Sequence, residues 1–404
     1  MVGEEPSSSR VYLRQFDLFR VIAFVGVIAQ HVMLFTRPGG SDVGWSAVMV
    51  LHATRNVFFF LSALVAGYSQ FRAPRPLLSL WVRRIGAFLL PYLAWTGIYF
   101  AYTLASSSGP VTARGTIVHD LLTGYYQLYF LVVLFQVYVV LPAVVWLVRR
   151  TRGHHGLVLG LSVAAQLCMM TIAYYFSWHT GPLHTVSSLD HALLGSRYVT
   201  GYQLYVVAGV LAADHLGQLQ RLVERQSARI CWGALAVGVA TLGYYALQLA
   251  FGKSPGQASN LYQPLVVPWF LAACAGLWAV GWRWAHKASA RAPTHSDRLV
   301  RWGADASAGV YLAHILVLHL ILSALTREGL AGHGALGEAA LYLILFAGVL
   351  LGTCLLVGVL FRTPLRTVLT GPDRRRQRAV LGVYPAPCGG TPEVAPDTVS
   401  AIVP

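Results

Sequence analysis

Charge is what this sequence has least of. Only 11% of its 404 residues are charged and only 15 are acidic, against roughly 25% charged in soluble globular domains. A water-soluble fold is excluded. No long hydrophilic stretch is available for a soluble catalytic domain either, so any chemistry must sit in the membrane helices or their short loops. Cysteine is scarce as well. Of five, Cys168, Cys231, Cys274 and Cys354 lie in apolar runs and Cys388 lies near the C-terminus; no two share an external loop, which excludes a disulfide framework. No metal-ligand spacing is present, and no metal is expected. No internal repeat is evident, which counts against an inverted-repeat transporter. The first apolar run is too long for a cleavable signal peptide and no small-residue cleavage site follows it; it reads as an uncleaved span.

What the chain has is apolar length. It is 56% hydrophobic with a mean hydropathy of +0.58. Windows of about 20 apolar residues predict ten transmembrane helices, near 16–36, 45–70, 85–105, 125–148, 156–176, 200–213, 230–250, 264–284, 304–325 and 338–361. The fold class is an all-α polytopic bundle. The formal charge of +15 invites a nucleic-acid reading, but the basic residues fall in short clusters between spans, as topology determinants do, with no aromatic-rich basic groove. Nucleic acid is excluded as a partner.

Alternate loops carry Arg72/Arg75/Arg83/Arg84, Arg149/Arg150/Arg152, Arg221/Arg225/Arg229 and Lys287/Arg291/Arg298/Arg301. The opposite loops carry only Arg37, Arg114, Arg197, Lys253 and Arg327. The positive-inside rule then places both termini in the cytoplasm, with an even number of spans. Dropping the short sixth span would destroy the alternation, so it is retained. The organisation is a cytoplasmic segment 1–15, a membrane domain 16–361 and a basic, Pro/Gly-rich tail 362–404, expected to be disordered and to lie near anionic headgroups.

Polar residues inside apolar spans are costly and mark sites. Arg20 and His31 share the run FDLFRVIAFVGVIAQHV. Eleven residues at ~100° each make three turns plus ~20°, so both lie on one helix face, ~16 Å apart along the axis. Asp17, three residues before Arg20, can pair with it. Against a site stands the bland reading in which Arg20 snorkels to the interface and His31 is a hydrogen-bonded structural residue. A histidine, however, can take and return a hydroxyl proton near neutral pH.

In the second span His52 and Arg55 are three apart on one face, toward the outer half. Arg83 and Arg84 stand at the cytoplasmic mouth of the third, where guanidinium groups can bind phosphate or simply set topology. The ninth span carries His314 ~15 Å into the helix, with Tyr311 one turn before it; His319 is rotated away by ~140°. Tyr125, Tyr126, Gln127 and Tyr129 read as an aromatic belt. The external loop with His179, His184, Asp190 and His191 gives no specific signal.

These segments resemble the acyltransferase 3 family of integral-membrane acyltransferases. FDLFRVIAFVGVIAQH is similar to its opening helix, in which an arginine, ten intervening residues and a histidine form the signature. NVFFFLSALVAGYS, WVRRIGAFLLPYLAW, LYFLVVLFQVYVVLPAVVW and AGVYLAHILVL resemble its second, third, fourth and late helices, in order, over residues 16–361. There are departures. The third-helix arginines are adjacent rather than three apart, with Phe88 nearer the proline, and Tyr129 stands where tryptophan is usual.

The resemblance implies transfer of an acyl group, commonly acetyl, from cytoplasmic acyl-CoA, a donor substrate rather than a bound cofactor. The acceptor is a hydroxyl on an extracytoplasmic or membrane-bound glycan, lipid or metabolite. HATRNVFFFLSAL looks closest to the branch that modifies cell-surface polysaccharides, in the plasma membrane. It also implies Arg20, Arg83 and Arg84 at the donor phosphates and His31 as general base or transient acyl carrier. His52, Arg55 and His314 would align the acceptor or stabilise the oxyanion. A transporter or flippase of a polysaccharide or lipid-linked substrate, with histidine proton relays, is the competing class. Acyl-CoA turnover separates the two.

Overall fold

The apolar runs fold as helices, and the described residues contain no strand. The computed structural model describes residues 14–36, 42–106, 113–178, 197–327 and 335–372. The loop with His179, His184, Asp190 and His191, nearly all of segment 1–15, and the tail beyond Pro372 lie outside the described residues. The first half comprises α1 (Gln15–Thr36), α2 (Asp42–Leu51), α3 (Ala53–Arg72), α4 (Leu77–Ser106), α5 (Ala113–Thr123), α6 (Tyr129–Arg150) and α7 (His155–Trp178). Then come α8 (Gln203–Asp214), α9 (Leu216–Ala250), α10 (Pro255–Ala258), α11 (Val267–Ser289), α12 (His295–Arg327), α13 (Ala335–Leu360) and α14 (Arg366–Thr370).

Among the described residues, nine spans are long and apolar enough to cross a membrane. The expected sixth does not qualify. α8 has 12 residues, about 18 Å of helix against a hydrocarbon core of about 30 Å. It lies deep in the bundle instead: Leu204, Tyr205, Val206 and Val210 are all at most 1% exposed. A helix sheathed by protein need not match the bilayer thickness. α8 still returns the chain to the end from which α7 left, because His155 at the start of α7 touches His215 just past α8 at 2.7 Å. Arg149 at the end of α6 donates to the Gln70 carbonyl near the end of α3 at 2.9 Å. Two clusters of basic residues thus gather at one end of the bundle, as the charge alternation requires.

Three further details depart from the sequence reading. The second span, one apolar stretch Gly44–Arg72 as expected, carries a single irregular position at His52, between α2 and α3. Order continues into the segment assigned to the tail, because α14 is held by Trp95 Nε1 donating to the Leu369 carbonyl at 2.8 Å. Third, Tyr125, Gln127 and Tyr129 do not form an interfacial belt but turn into the bundle, where Tyr125 stacks on Tyr99 and the Tyr129 hydroxyl and Gln127 Nε2 find partners described below.

The outer surface suits hydrocarbon: Leu90, Leu93, Trp146, Leu235, Leu343, Ile344, Leu351 and Leu355 are exposed. The interior is packed with Phe19, Val57, Phe59, Leu64, Leu141 and Leu312, all 1% exposed or less. The most extensive helix pairing is α3 against α8, and small residues permit it. A Cβ on Gly209 would stand 2.5 Å from the Phe60 carbonyl oxygen and 2.9 Å from Ala63 Cβ. Backbones approach closely there, in the manner of small-residue contacts between membrane helices. Gly209→Ala is therefore expected to destabilise by about 1–3 kcal/mol. Gly160→Ala, with nothing within 4 Å of its added Cβ, should stay within about 1 kcal/mol of the parent. Thermal unfolding in detergent compares the two.

Candidate active site

α1 packs along α12, and that contact brings His31 and His314 together. His31 Nδ1 and His314 Nε2 are 2.9 Å apart, and His314 has no exposed surface. His314 Nδ1 lies 2.7 Å from the Tyr311 carbonyl oxygen. A carbonyl only accepts, so His314 Nδ1 carries the proton and its Nε2 presents a lone pair. His31 Nδ1–H then donates to that lone pair. The arrangement leaves His31 Nε2 as the basic nitrogen, backed by His314.

α12 is clamped where this happens. The Tyr99 hydroxyl donates to the Leu312 carbonyl at 2.8 Å and accepts from the Leu316 amide at 3.2 Å. It thus enters the helix ladder, straddling His314, which is a known way to open a helix locally. Gln127 Nε2 also reaches the Leu312 carbonyl, at 3.4 Å, and the Tyr311 hydroxyl donates to the Gln127 carbonyl. The loop ahead of α6 therefore braces α12 at Tyr311 and Leu312, within the turn before His314.

That loop is tightly wound. Tyr126 adopts φ 28°, a left-handed conformation unusual for a side-chain-bearing residue, and Gly124 has φ 80°. Such backbone strain persists where surrounding contacts enforce it, often at functional sites. The Tyr126 ring packs 5.6 Å from His31 and 5.2 Å from Phe35. Phe35 in turn meets His319 at 5.1 Å, and His319 stacks on Tyr102 at 5.3 Å. His319, set aside by the helical-wheel argument, makes no hydrogen bond to the pair but joins it through these rings. It lines an open cavity of about 390 Å³ with Tyr102, Thr103, Ser106, Tyr125 and Ser323.

His52 and Arg55 form a neighbouring group. Gln30, beside His31 on α1, reaches His52 Nδ1 through its Nε2 at 2.8 Å. Arg55 Nη1 donates to the Tyr129 hydroxyl at 2.8 Å, and its guanidinium lies 5.1 Å from the Tyr202 ring centre. Tryptophan at 129 would offer only a donor and leave this cation without its acceptor. Arg55, Tyr202, Tyr205 and Gln166 line one narrow cleft, in which Arg55 Nε, Gln166 Oε1 and the Tyr205 hydroxyl are buried without hydrogen-bond partners. In a low-dielectric interior such atoms are expensive and invite a ligand or water.

The cations expected at the donor side stand apart. Arg20 Nη1 is 3.4 Å from the fully buried Asp17 carboxylate, as the three-residue spacing requires. Arg84 donates to Ser69 Oγ at 3.2 Å and lies against the Tyr138 ring, whereas Arg83 is exposed. Of the site residues expected from sequence, then, His31, His314 and Tyr311 form one cluster and His52 with Arg55 an adjoining one. Asp17/Arg20 and Arg83/Arg84 lie toward the other end. Sequence reasoning missed Gln30, Tyr99, Gln127 and the role of Tyr129. The only available signal was polar character within apolar runs.

A family model described as an acyltransferase domain matches residues 13–358, and so encloses all of these groups. No curated protein and no solved structure matches the chain. The loop before α6 gives a structural test of the site. A Cβ on Gly124 would fall 2.3 Å from the Tyr129 amide nitrogen, so Gly124→Ala must displace the backbone that holds Tyr129 against Arg55. The expected result is a folded protein with a thermal midpoint several degrees lower (roughly 1–3 kcal/mol), checked by thermal unfolding alongside the Gly160→Ala control.

Proposed function

The chain belongs to the acyltransferase 3 family and is a membrane acyltransferase; on that footing we propose that it moves an acyl group, commonly acetyl, from acyl-CoA at the cytoplasmic face to a hydroxyl presented from the opposite face. The observation that carries this reading is the His31–His314 hydrogen bond of 2.9 Å. It joins a fully buried His314 to a partly exposed His31 and is linked by Tyr126, Phe35 and His319 to an open cavity. By charge alternation that cavity opens outward, since it is walled by the C-terminal ends of α4 and α12. The acceptor class is a hydroxyl of a cell-envelope glycan, a lipid or a secondary metabolite, and the site of action is the plasma membrane.

In this reading His31 Nε2 takes the proton from the acceptor hydroxyl as its oxygen attacks the thioester carbonyl. His314, accepting from His31 Nδ1–H, holds the ring in the tautomer that leaves Nε2 free and shares the positive charge that forms. Collapse of the tetrahedral intermediate breaks the carbon–sulfur bond, makes the ester, and returns the proton from His31 to the departing CoA thiolate. Arg55, fixed by Tyr129, is the cation nearest the histidines in the network and is assigned to the developing oxyanion, with His52 positioned through Gln30. Arg20, Arg83 and Arg84 are assigned to the donor's phosphates.

The experiment is acyl-CoA turnover by purified protein, with mass spectrometry of envelope glycans, lipids and metabolites to name the acceptor. His31→Ala is expected to reduce kcat by about 10²–10⁴-fold. His314→Gln should reduce it comparably, and the double variant little more than either single one, because the two rings act as a unit. Losses that multiply would refute the shared-base reading. For the acceptor cavity, Tyr102→Ala is expected to raise KM for acceptor about tenfold while leaving KM for acyl-CoA unchanged. A rise in the donor KM instead would put the donor in that cavity.

A further inference from the structure

A second group of imidazoles lies outside the histidine pair. α7 begins at His155, α8 ends at Asp214, and His215 joins α8 to α9, so three ligand-type side chains meet at one end of the bundle. Their ligand atoms all lie within 4.8 Å of one another. His155 Nδ1 stands 2.7 Å from His215 Nε2, and the Asp214 carboxylate is 3.9 Å from His155 Nδ1.

The other nitrogen of each ring is already engaged. His155 Nε2 faces the Val148 carbonyl oxygen at 2.8 Å, which only accepts, so the proton resides on Nε2. His215 Nδ1 faces Gln218 Oε1 at 3.1 Å, which likewise draws the proton to Nδ1. The two nitrogens facing each other are then both lone pairs. Two lone pairs at this distance repel unless a cation stands between them. Rings whose far nitrogens donate to a backbone carbonyl and a side-chain amide have the outer partners that orient metal-bound imidazoles.

We propose that His155, His215 and Asp214 form a site for a divalent transition metal of the zinc class, with its fourth position open to water. Zn–N bonds of ~2.0–2.1 Å at a tetrahedral angle separate the two nitrogens by about 3.3 Å. The rings must therefore part by roughly 0.6 Å from their present spacing. His215 sits at a helix junction rather than inside a helix, so this movement is easily accommodated. The site is reachable, since the side chains of His155 and Asp214 are 14% and 20% exposed. The bound ion would staple the start of α7 to the end of α8, the short helix that carries Tyr205 into the Arg55 cleft. Sequence spacing conceals it because His155 and Asp214 come from separate helices.

The competing arrangement turns the Gln218 amide over, making His215 Nδ1 an acceptor and the 2.7 Å contact an ordinary N–H···N hydrogen bond. Tag-free, full-length protein, stripped with a chelator and titrated with Co²⁺ and then Zn²⁺, distinguishes the two. The expected result is one Co²⁺ per chain, with visible d–d absorption, displaced by Zn²⁺. Zn²⁺ should also raise the thermal midpoint by several degrees (roughly a 100-fold excess over Kd suffices). His155→Gln and His215→Gln should abolish both effects. Should either fail to fold, Asp214→Asn should weaken binding at least tenfold while preserving the fold. Absence of saturable Co²⁺ binding overturns the proposal, and so does binding that is equal in wild type and all three variants.

Discussion

Everything at the centre of this bundle depends on one constraint: polar side chains held away from water must find each other. Arginine, histidine and tyrosine in hydrocarbon are tolerated only when paired, facing the bundle interior or a wet cavity. His31 meets that demand with His314, His314 with the Tyr311 carbonyl, and Arg55 with Tyr129. Pairing also sets chemistry, because a carbonyl at one end of the chain fixes the tautomer of His314, which in turn fixes that of His31. The Tyr99 hydroxyl, inserted in the α12 ladder, ties α4 to α12 on both sides of His314.

The same constraint divides the molecule into two approaches. On one side are Arg20 with Asp17, and Arg84 with Ser69, near the ends of helices that carry the basic clusters. On the other are the hydroxyls and rings of Tyr102, Thr103, Tyr125 and His319 around an open cavity. The histidine pair lies between. A cation-rich surface suits a phosphate-bearing donor and a hydroxyl- and ring-lined cavity suits a hydroxyl acceptor, which is the division that the proposed transfer requires.

Much of this was legible in sequence because helical periodicity is a strong rule. The Asp17/Arg20 pair followed from a three-residue spacing, and a membrane bundle followed from apolar run length. What was not legible depends on contacts between distant segments. The run WSAVMVLHATRNVFFF gives no sign of the irregular position at His52, and α8 looks like a short span because burial against α3 relieves it of crossing hydrocarbon. Tyr125, Gln127 and Tyr129 have the composition of an interfacial belt, and only packing shows them turned inward toward α3, α4 and α12. The 283 residues separating His31 from His314 put their contact beyond any local rule.

The proposed transfer carries an acyl group through the bundle at His31. The most direct test reconstitutes the protein in one orientation in sealed vesicles, with isotopically labelled acyl-CoA outside at the cytoplasmic face and a membrane-impermeant hydroxyl acceptor, identified beforehand, trapped inside. Labelled ester should form in the lumen with the wild type and be absent with His31→Ala. Labelled product confined to the donor side, or luminal product that survives loss of His31, would contradict it.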